Sequence, residues 1–174
     1  MFVLKYLSIM ENDRKRQGKN LMTEFTFRSL QEEIRRATSE RDQSLLDIGE
    51  AAGSESNWHD NAAFDHANMK HDLDSSRLST LQSKIRDVQF IEPRKKTDRI
   101  EIGNKVIVKF EGEEENESFV ILGPDDSGKQ TGWISFISPL GGSLMGKKGG
   151  DAVSYMIGKQ EQKIKIIQIL PGDF

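Results

Sequence analysis

The sequence predicts an α+β protein, in which an N-terminal antiparallel helical hairpin precedes a smaller, mostly antiparallel β domain with one short helix. Two observations predict this fold class. Apolar residues recur at alternating intervals of three and four between about residues 24 and 90, as in a coiled coil. Beyond residue 100, short β-branched and aromatic runs alternate with turn residues, as in a small sheet.

The composition limits the classes of function. The chain has 174 residues, of which 30% are charged, and its net charge is −3, which argues against bulk binding of nucleic acid. It contains no cysteine, which excludes disulfides, thiolate zinc sites and a cysteine nucleophile, and fits a reducing cytoplasm. No apolar run approaches the ~20 residues of a membrane helix. We therefore expect a cytoplasmic monomer without a membrane partner.

The pattern divides the chain into four segments. Residues 1–22 are expected to be a disordered extension, because residues 12–20 are charged and lack periodicity. Residues 23–92 form the hairpin, residues 93–99 a charged linker after Pro93, and residues 100–174 the β domain. Two alternatives stay open for the extension: a start of translation at Met22, or a basic arm. The arm residues are Arg14, Lys15, Arg16 and Lys19.

The apolar stripes of the two helices can be matched residue by residue. With the turn centred after Asn57, Arg41 faces Asp74 and Ser44 faces His71, so polar positions meet polar positions. The apolar pairs are Phe27 with Val88, Leu30 with Ile85, Ile34 with Leu81, Ala37 with Leu78, and Ile48 with Ala67. We interpret the polar pairs as determinants of register. In the alternative, His71 is a pH switch or a ligand.

The β domain contains five predicted strands and one misleading motif. The strand runs are residues 106–108, 119–121, 133–137, 153–157 and 164–169, and a short helix begins at Ser138-Pro139. Residues 123–129 match most of a phosphate-binding loop, but Gln130 stands where the magnesium ligand should be and a strand pattern follows. A hairpin turn is therefore expected there.

Four stretches, in order, match motifs of one family. Residues 30–34, 61–64, 134–140 and 144–151 are similar to L-x-E-E-L, N-A-E-Y, I-S-x-x-S-P-I/L and L-I-G-K-x-x-G-D. With these motifs, residues 22–170 resemble the bacterial GreA/GreB family of transcript-cleavage factors. The resemblance implies a long antiparallel coiled coil followed by an FKBP-like domain, which agrees with the segments derived above.

The resemblance also implies a partner and a mechanism. Such factors bind RNA polymerase at its secondary channel and place the coiled-coil tip near the nascent RNA 3′ end. There, tip carboxylates help to hold a Mg²⁺ ion shared with the polymerase active site, so the factor assists cleavage without being an independent enzyme. No cofactor is expected on the isolated protein. The implied polymerase-binding residues are Ser135, Ser138, Pro139 and Leu140.

At the tip the sequence departs from the family pattern, G-D-x-x-E-N-A-E-Y. Asn57 replaces the first acid, Asp60 replaces the glutamate, and Phe64 replaces the tyrosine. An amide lacks the charge that a hard cation favours, so Asp60 is the expected metal ligand and Asn57 a weaker one, with Glu55 nearby as compensation.

Three functions follow from these observations. The first is an elongation factor that stimulates polymerase cleavage of backtracked RNA through Asp60, Asn57 and Glu55. The second is a homologue that binds the polymerase and modulates or inhibits it without cleavage. The third is an FKBP-type isomerase or chaperone, which the low aromatic content of 7% disfavours, because such a site needs an aromatic pocket.

Overall fold

The computed structural model describes residues 20–53 and 62–174, which fall into two compact units. One unit is Phe27–Arg86 and the other combines residues 20–26 with Asp87–Phe174. The first is a pair of helices and the second is built on a mixed β-sheet. The predicted α+β class is confirmed.

The hairpin unit consists of helix α1 (Glu24–Gly53), whose first turn belongs to the other unit, and helix α2 (Ala62–Lys84). Helix α1 has 30 residues and is therefore about 45 Å long. Its start is capped, because the Thr23 hydroxyl accepts a hydrogen bond from the Thr26 N–H at 3.2 Å. The buried seam residues of the two helices are Leu30, Ala37, Ser44, Ala67, Leu78 and Leu81.

Contacts between the helices show that they are antiparallel. Ser44 Oγ lies 3.2 Å from His71 Nδ1, which confirms the predicted pair. Toward the tip, Lys70 Nζ lies 3.1 Å from Asp47 Oδ2. Toward the base, Arg77 donates to Glu40 at 2.7 Å. Residues later in α1 therefore contact residues earlier in α2, as in an antiparallel pair.

The second predicted polar pair, Arg41 with Asp74, does not form an ion pair within the described residues. Arg41 Nε lies 2.8 Å from Oδ1 of its neighbour Asp42. This nitrogen and Asp74 Oδ2 are both buried and without a hydrogen-bond partner. A short sequential contact has replaced the expected contact between helices.

Two short strands lie where helix and disorder were expected. Strand β1 (Asn20–Met22) pairs in parallel with β2 (Val88–Phe90), so the disorder expected up to residue 22 is wrong for β1. Helix α2 ends at Lys84, and Asp87 adopts a left-handed backbone with φ of 53°. A helix cannot pass through that conformation, so the predicted seam position Val88 lies in a strand instead.

The main sheet contains five strands: β3 (Lys105–Phe110), β4 (Asn116–Leu122), β5 (Trp133–Ser135), β6 (Ala152–Ile157) and β7 (Gln160–Leu170). Their order across the sheet is β5-β4-β3-β7-β6. The pairing is antiparallel except between β4 and β5, which are parallel because a 3₁₀ turn and a loop carry the chain back before β5. All five predicted strand runs correspond to strands of this sheet, although β5 ends at Ser135. The hairpin turn expected after residue 122 is wrong, because β4 and β5 are parallel.

Cores lie on both faces of the sheet. The larger core contains Val106, Val108, Ile121 and Ile166, with Leu144 of the short helix α3 (Pro139–Leu144). The smaller core covers only one end of the opposite face. Its buried members are Leu21, Ile91, Val120, Leu122 and Trp133. The rest of that face, toward β6, is open to solvent.

Candidate functional site

The first candidate site is the connection between the helices. Because α1 and α2 are antiparallel, Gly53 and Ala62 lie at the same end of the hairpin, and residues 54–61 join them. All three candidate tip residues, Glu55, Asn57 and Asp60, lie outside the described residues. Their predicted roles therefore stay predictions.

The hairpin carries a charged cluster next to its tip. The Asp47 carboxylate accepts hydrogen bonds from Gln43 at 3.0 Å and from Lys70 at 3.1 Å. The Gln43 bond, followed by the Lys70 bond, lowers the pKa of Asp47 below its usual value. The cluster links the two helices between the tip and the polar layer at His71.

His71 has a hydroxyl partner on each ring nitrogen. Ser44 lies 3.2 Å from Nδ1 and Ser75 lies 3.4 Å from Nε2. Because the Ser44 hydroxyl donates to the Arg41 carbonyl at 2.9 Å, it can only accept from the imidazole. We therefore assign the Nδ1–H tautomer to neutral His71. This pairing suits a seam residue, while the pH-switch alternative stays untested.

The described residues contain no cluster of three or more His, Cys, Asp or Glu side chains that could hold a metal ion. The expected ligand Asp60 lies outside that part of the chain, with the neighbouring donors Asn57 and Glu55. By chemistry, two carboxylates and an amide oxygen are ligands of the kind that Mg²⁺ favours.

The second candidate site is the segment from β5 to α3. Ser138 caps α3, because its Oγ accepts from Gly141 N–H at 3.0 Å and donates to the Ser135 carbonyl at 2.7 Å. Ser135 is buried, and its Oγ accepts from Ile137 N–H at 3.2 Å. Both serine side chains are thus occupied by the turn.

The same turn presents an apolar side chain that the sequence reading missed. Ile137 is 66% exposed, and Pro139 beside it is also exposed, whereas Leu140 packs on the larger core. The sequence pattern predicted a strand through Ile137, but β5 ends at Ser135. The place of Ile137 directly before the Ser-Pro helix start was the signal that it could lie on the surface instead.

A buried acid at the start of the long helix was also missed. The Asp126 carboxylate accepts from Thr23 N–H at 3.0 Å, from Thr23 Oγ1 at 2.7 Å and from Gly123 N–H at 3.0 Å. Asp126 ends the 3₁₀ helix Pro124–Asp126, within the stretch that imitates a phosphate-binding loop. Its own carboxylate occupies the amide donors there, so this loop is not a phosphate site.

Comparison with known proteins identifies the family. The family model described as "Transcription elongation factor, GreA/GreB, C-term" matches residues 95–171. A "Transcription elongation factor GreA" from Desulfovibrio desulfuricans is 31% identical over 144 residues, which cover 82% of this chain and 88% of that relative. The chain belongs to the GreA/GreB family. It is a Gre-type transcription elongation factor, as the four sequence motifs predicted.

Other relatives of this Gre factor agree. A "Transcription elongation factor GreA" from Pelobacter propionicus is 30% identical over 150 residues, which cover 85% of this chain and 94% of the relative. Among solved structures, GreA factor homolog 1 (Gfh1) of Thermus thermophilus matches with 19% identity and a TM-score of 0.40, covering 87% of this chain and 98% of its own. The family assignment does not rest on that structural match.

No helix in the described part of this Gre factor is both long and apolar enough to span a membrane.

Proposed function

We propose that this Gre factor binds RNA polymerase at its secondary channel and stimulates the polymerase's own cleavage of backtracked RNA. In this role it is a cytoplasmic accessory factor and not an independent enzyme. Its partners are the polymerase and the nascent RNA 3′ end, and it acts as a monomer. Family membership supports the process.

The antiparallel hairpin is the observation that carries this proposal. Its register, fixed by the Ser44–His71 pair and the Lys70–Asp47 ion pair, leaves only residues 54–61 to connect the helix ends. Those residues include Asp60, Asn57 and Glu55. A helix of about 45 Å can carry such a segment far into a channel that is too narrow for a globular domain.

In the proposed mechanism the tip contributes negative charge and oxygen donors. Asp60 is the principal carboxylate, Glu55 supplies a second, and the Asn57 amide oxygen is a neutral donor. The Mg²⁺ ion shared with the polymerase would supply charge stabilisation and activation of water in phosphodiester hydrolysis. In this proposal the Asp60 carboxylate would also orient a water molecule by accepting its hydrogen bond.

A second function is favoured by Asn57. Where the family pattern has an acid, this chain has an amide, which cannot act as a base and attracts a cation less strongly. A Gre factor with this change would enter the channel and modulate or inhibit the polymerase without stimulating cleavage.

Docking would use the segment from Ser135 to Leu140. Since the turn itself engages the hydroxyls of Ser135 and Ser138, we assign the direct contact to the exposed Ile137 and Pro139, with the serines and Leu140 holding their positions. Replacing Ile137 by Asp should therefore weaken polymerase binding more than replacing Ser138 by Thr, which keeps the cap.

A stalled, backtracked elongation complex with 3′-labelled RNA tests the proposal. We expect the RNA to shorten when the wild-type chain is added. The Asp60→Asn variant should lose this stimulation of cleavage. Asp65→Asn, on an exposed position in the first turn of α2, is the matched control and should leave the rate unchanged. If the wild-type chain competes with an active cleavage factor but shortens no RNA, the second function replaces the first. Absence of any polymerase binding would contradict both.

A further inference from the structure

The open half of the outer sheet face carries a group of lysines, which we call the lysine face. It consists of Lys109 on β3, Lys163 and Lys165 on β7, and the apolar Ile107 and Met156 beside them. Alternation along each strand places these residues on the face opposite the larger core, which takes Val108, Ile164 and Ile166. The smaller core does not extend to this end of the sheet.

Two lysines of this face stand directly opposite each other. Lys109 and Lys165 are cross-strand partners, and like charges in that position destabilise a sheet. Their other neighbours in the ladder, Asn116 and Ala152, carry no charge. Neither Lys109 nor Lys165 forms an ion pair within the described residues. The Nζ atom of Lys163, the third lysine of the face, lies 3.9 Å from Glu111 Oε2.

The lysine face also exposes apolar surface. Met156 is 51% exposed and Ile107 is half-buried. Aliphatic side chains have no partner on a phosphate backbone, but they contribute to protein interfaces, in which methionine is enriched. The face therefore offers positive charge for an anionic group and apolar surface for an apolar side chain.

The surroundings favour a short ligand over a long polyanion. One acid, Glu161, lies opposite Met156 at one edge of the face. Near the same end, where the Glu111 N–H donates to the Lys163 carbonyl at 2.9 Å, the β3–β4 turn carries four glutamates: Glu111, Glu113, Glu114 and Glu115. An extended nucleic acid that contacted Lys109 and Lys165 would pass near these carboxylates and be repelled. The described cross-strand positions of the face also present no aromatic ring for stacking on a base.

From this we infer that the lysine face is a docking surface for a short acidic protein segment that also bears apolar side chains. Acidic side chains of the segment pair with Lys109, Lys163 and Lys165, and apolar side chains pack on Ile107 at one end of the face and on Met156 at the other. The surface is separate from the segment around Ile137, since β6 and β7 lie at the opposite edge of the sheet from β5.

The test uses the full-length ¹⁵N-labelled chain and a short synthetic peptide, acetyl-(Glu-Leu-Asp)₂-amide, at physiological ionic strength. We expect amide shift changes concentrated at Lys109, Met156, Lys163 and Lys165. The double variant Lys109→Glu/Lys165→Glu should weaken binding by at least about tenfold. Lys95→Glu/Lys129→Glu changes the net charge equally at two exposed lysines elsewhere and should alter binding by less than about twofold.

Several outcomes would overturn the inference. Shift changes at other strands, equal weakening in both double variants, or no binding of the peptide would each do so. The same amides responding more strongly to a 12-base-pair DNA duplex would indicate a nucleic-acid surface. Concentration-dependent shifts of the chain alone at these amides would indicate a second copy as the occupant. Lys165→Gln gives an independent variant without a new carboxylate and should also weaken binding.

Discussion

At the scale of single residues, Asp126 explains how the long helix is attached to the unit that holds its first turn. Its fully buried carboxylate receives three donors, the Thr23 N–H, the Thr23 hydroxyl and the Gly123 N–H. Charge-assisted bonds of this kind make the burial of a carboxylate tolerable. The same Thr23 hydroxyl accepts from Thr26 N–H, so the helix cap and the acid form one network.

The Asp126→Asn variant should lower the free energy of unfolding by about 1–3 kcal/mol. An amide offers one acceptor oxygen, and its NH₂ group would face the donors of Thr23 or Gly123. Urea denaturation of the full-length chain measures the effect, with the exposed Asp98→Asn as the control, expected within about 0.5 kcal/mol of wild type. Equal stability of Asp126→Asn and wild type would show that the carboxylate charge is not needed.

Asp47 gives a pH-dependent prediction for the hairpin. Hydrogen bonds from Gln43 and Lys70, together with the charge of Lys70, lower the pKa of Asp47, so Gln43→Ala and Lys70→Gln should each raise that pKa toward its usual value. The ionised carboxylate stabilises the fold above its usual pKa, and this contribution is lost as the pH falls through the lowered folded pKa. NMR titration of the Asp47 carboxyl carbon measures the shift, and an unchanged pKa in either variant would contradict the role of that residue.

At the scale of elements, the hairpin seam contains a polar layer that is only partly satisfied. Ser44, His71 and Ser75 form a chain of hydrogen bonds. Arg41 Nε and Asp74 Oδ2, in the same seam, are buried without a hydrogen-bond partner among the described residues, although Arg41 Nε lies 2.8 Å from the Asp42 carboxylate. A seam with this composition gains register from its polar residues and loses some stability to them.

Replacing Arg41 and Asp74 together by Leu should therefore raise the free energy of unfolding by about 1 kcal/mol. The gain is at the low end of the range for buried pairs, because the Arg41 side chain is 36% exposed. Thermal unfolding of the full-length chain measures it, and Arg35→Leu/Asp72→Leu, on exposed positions of the same helices, serves as the control. Clear destabilisation of the first double variant would show that Arg41 and Asp74 pair in solution.

The elements differ in how far they could be predicted. The alternating spacing gave the hairpin and the Ser44–His71 register, because long periodic stripes constrain each other. The pairing of β1 with β2 was missed, because three-residue strands far apart in sequence leave no periodic pattern. The lysine face does have a periodic sequence pattern, because Lys163 and Lys165 alternate with Ile164 and Ile166. Nothing in the sequence, however, places Lys109 opposite Lys165.

The candidate site divides in the same way. Motif residues identified the tip and the Ser138-Pro139 helix start directly from the sequence. The bonds of Asp126 depend on how distant segments pack, which local pattern does not encode. The roles of Glu55, Asn57 and Asp60 rest on residue chemistry and on family membership.

At the scale of the whole molecule, the strand before the long helix is part of the folded protein. Leu21 and Met22 are 8% and 0% exposed, and Leu21 belongs to the smaller core with Trp133. The Met22 carbonyl accepts from Ile91 N–H at 2.9 Å. A product that started at Met22 would lack Leu21 and most of β1.

We expect a chain that begins at Met22 to be less stable than the full chain by about 2 kcal/mol, because the burial of one leucine side chain contributes about 1.5–3 kcal/mol. A chain that begins with Met followed by residue 19 retains β1 and is the comparison. Urea denaturation of the two truncated chains measures the difference. Equal stabilities would show that β1 contributes nothing to folding.

We propose that the hairpin delivers the Asp60 carboxylate to the polymerase active centre, and that the missing charge at Asn57 limits the activity. The most direct test is the rate of RNA 3′-end shortening in a backtracked complex, compared between the wild-type chain and Asn57→Asp. Restoring the charge should raise the rate at least about tenfold, the effect of about 1.4 kcal/mol of added transition-state stabilisation. An Asn57→Asp chain that binds the polymerase as well as wild type does but cleaves no faster would contradict the account.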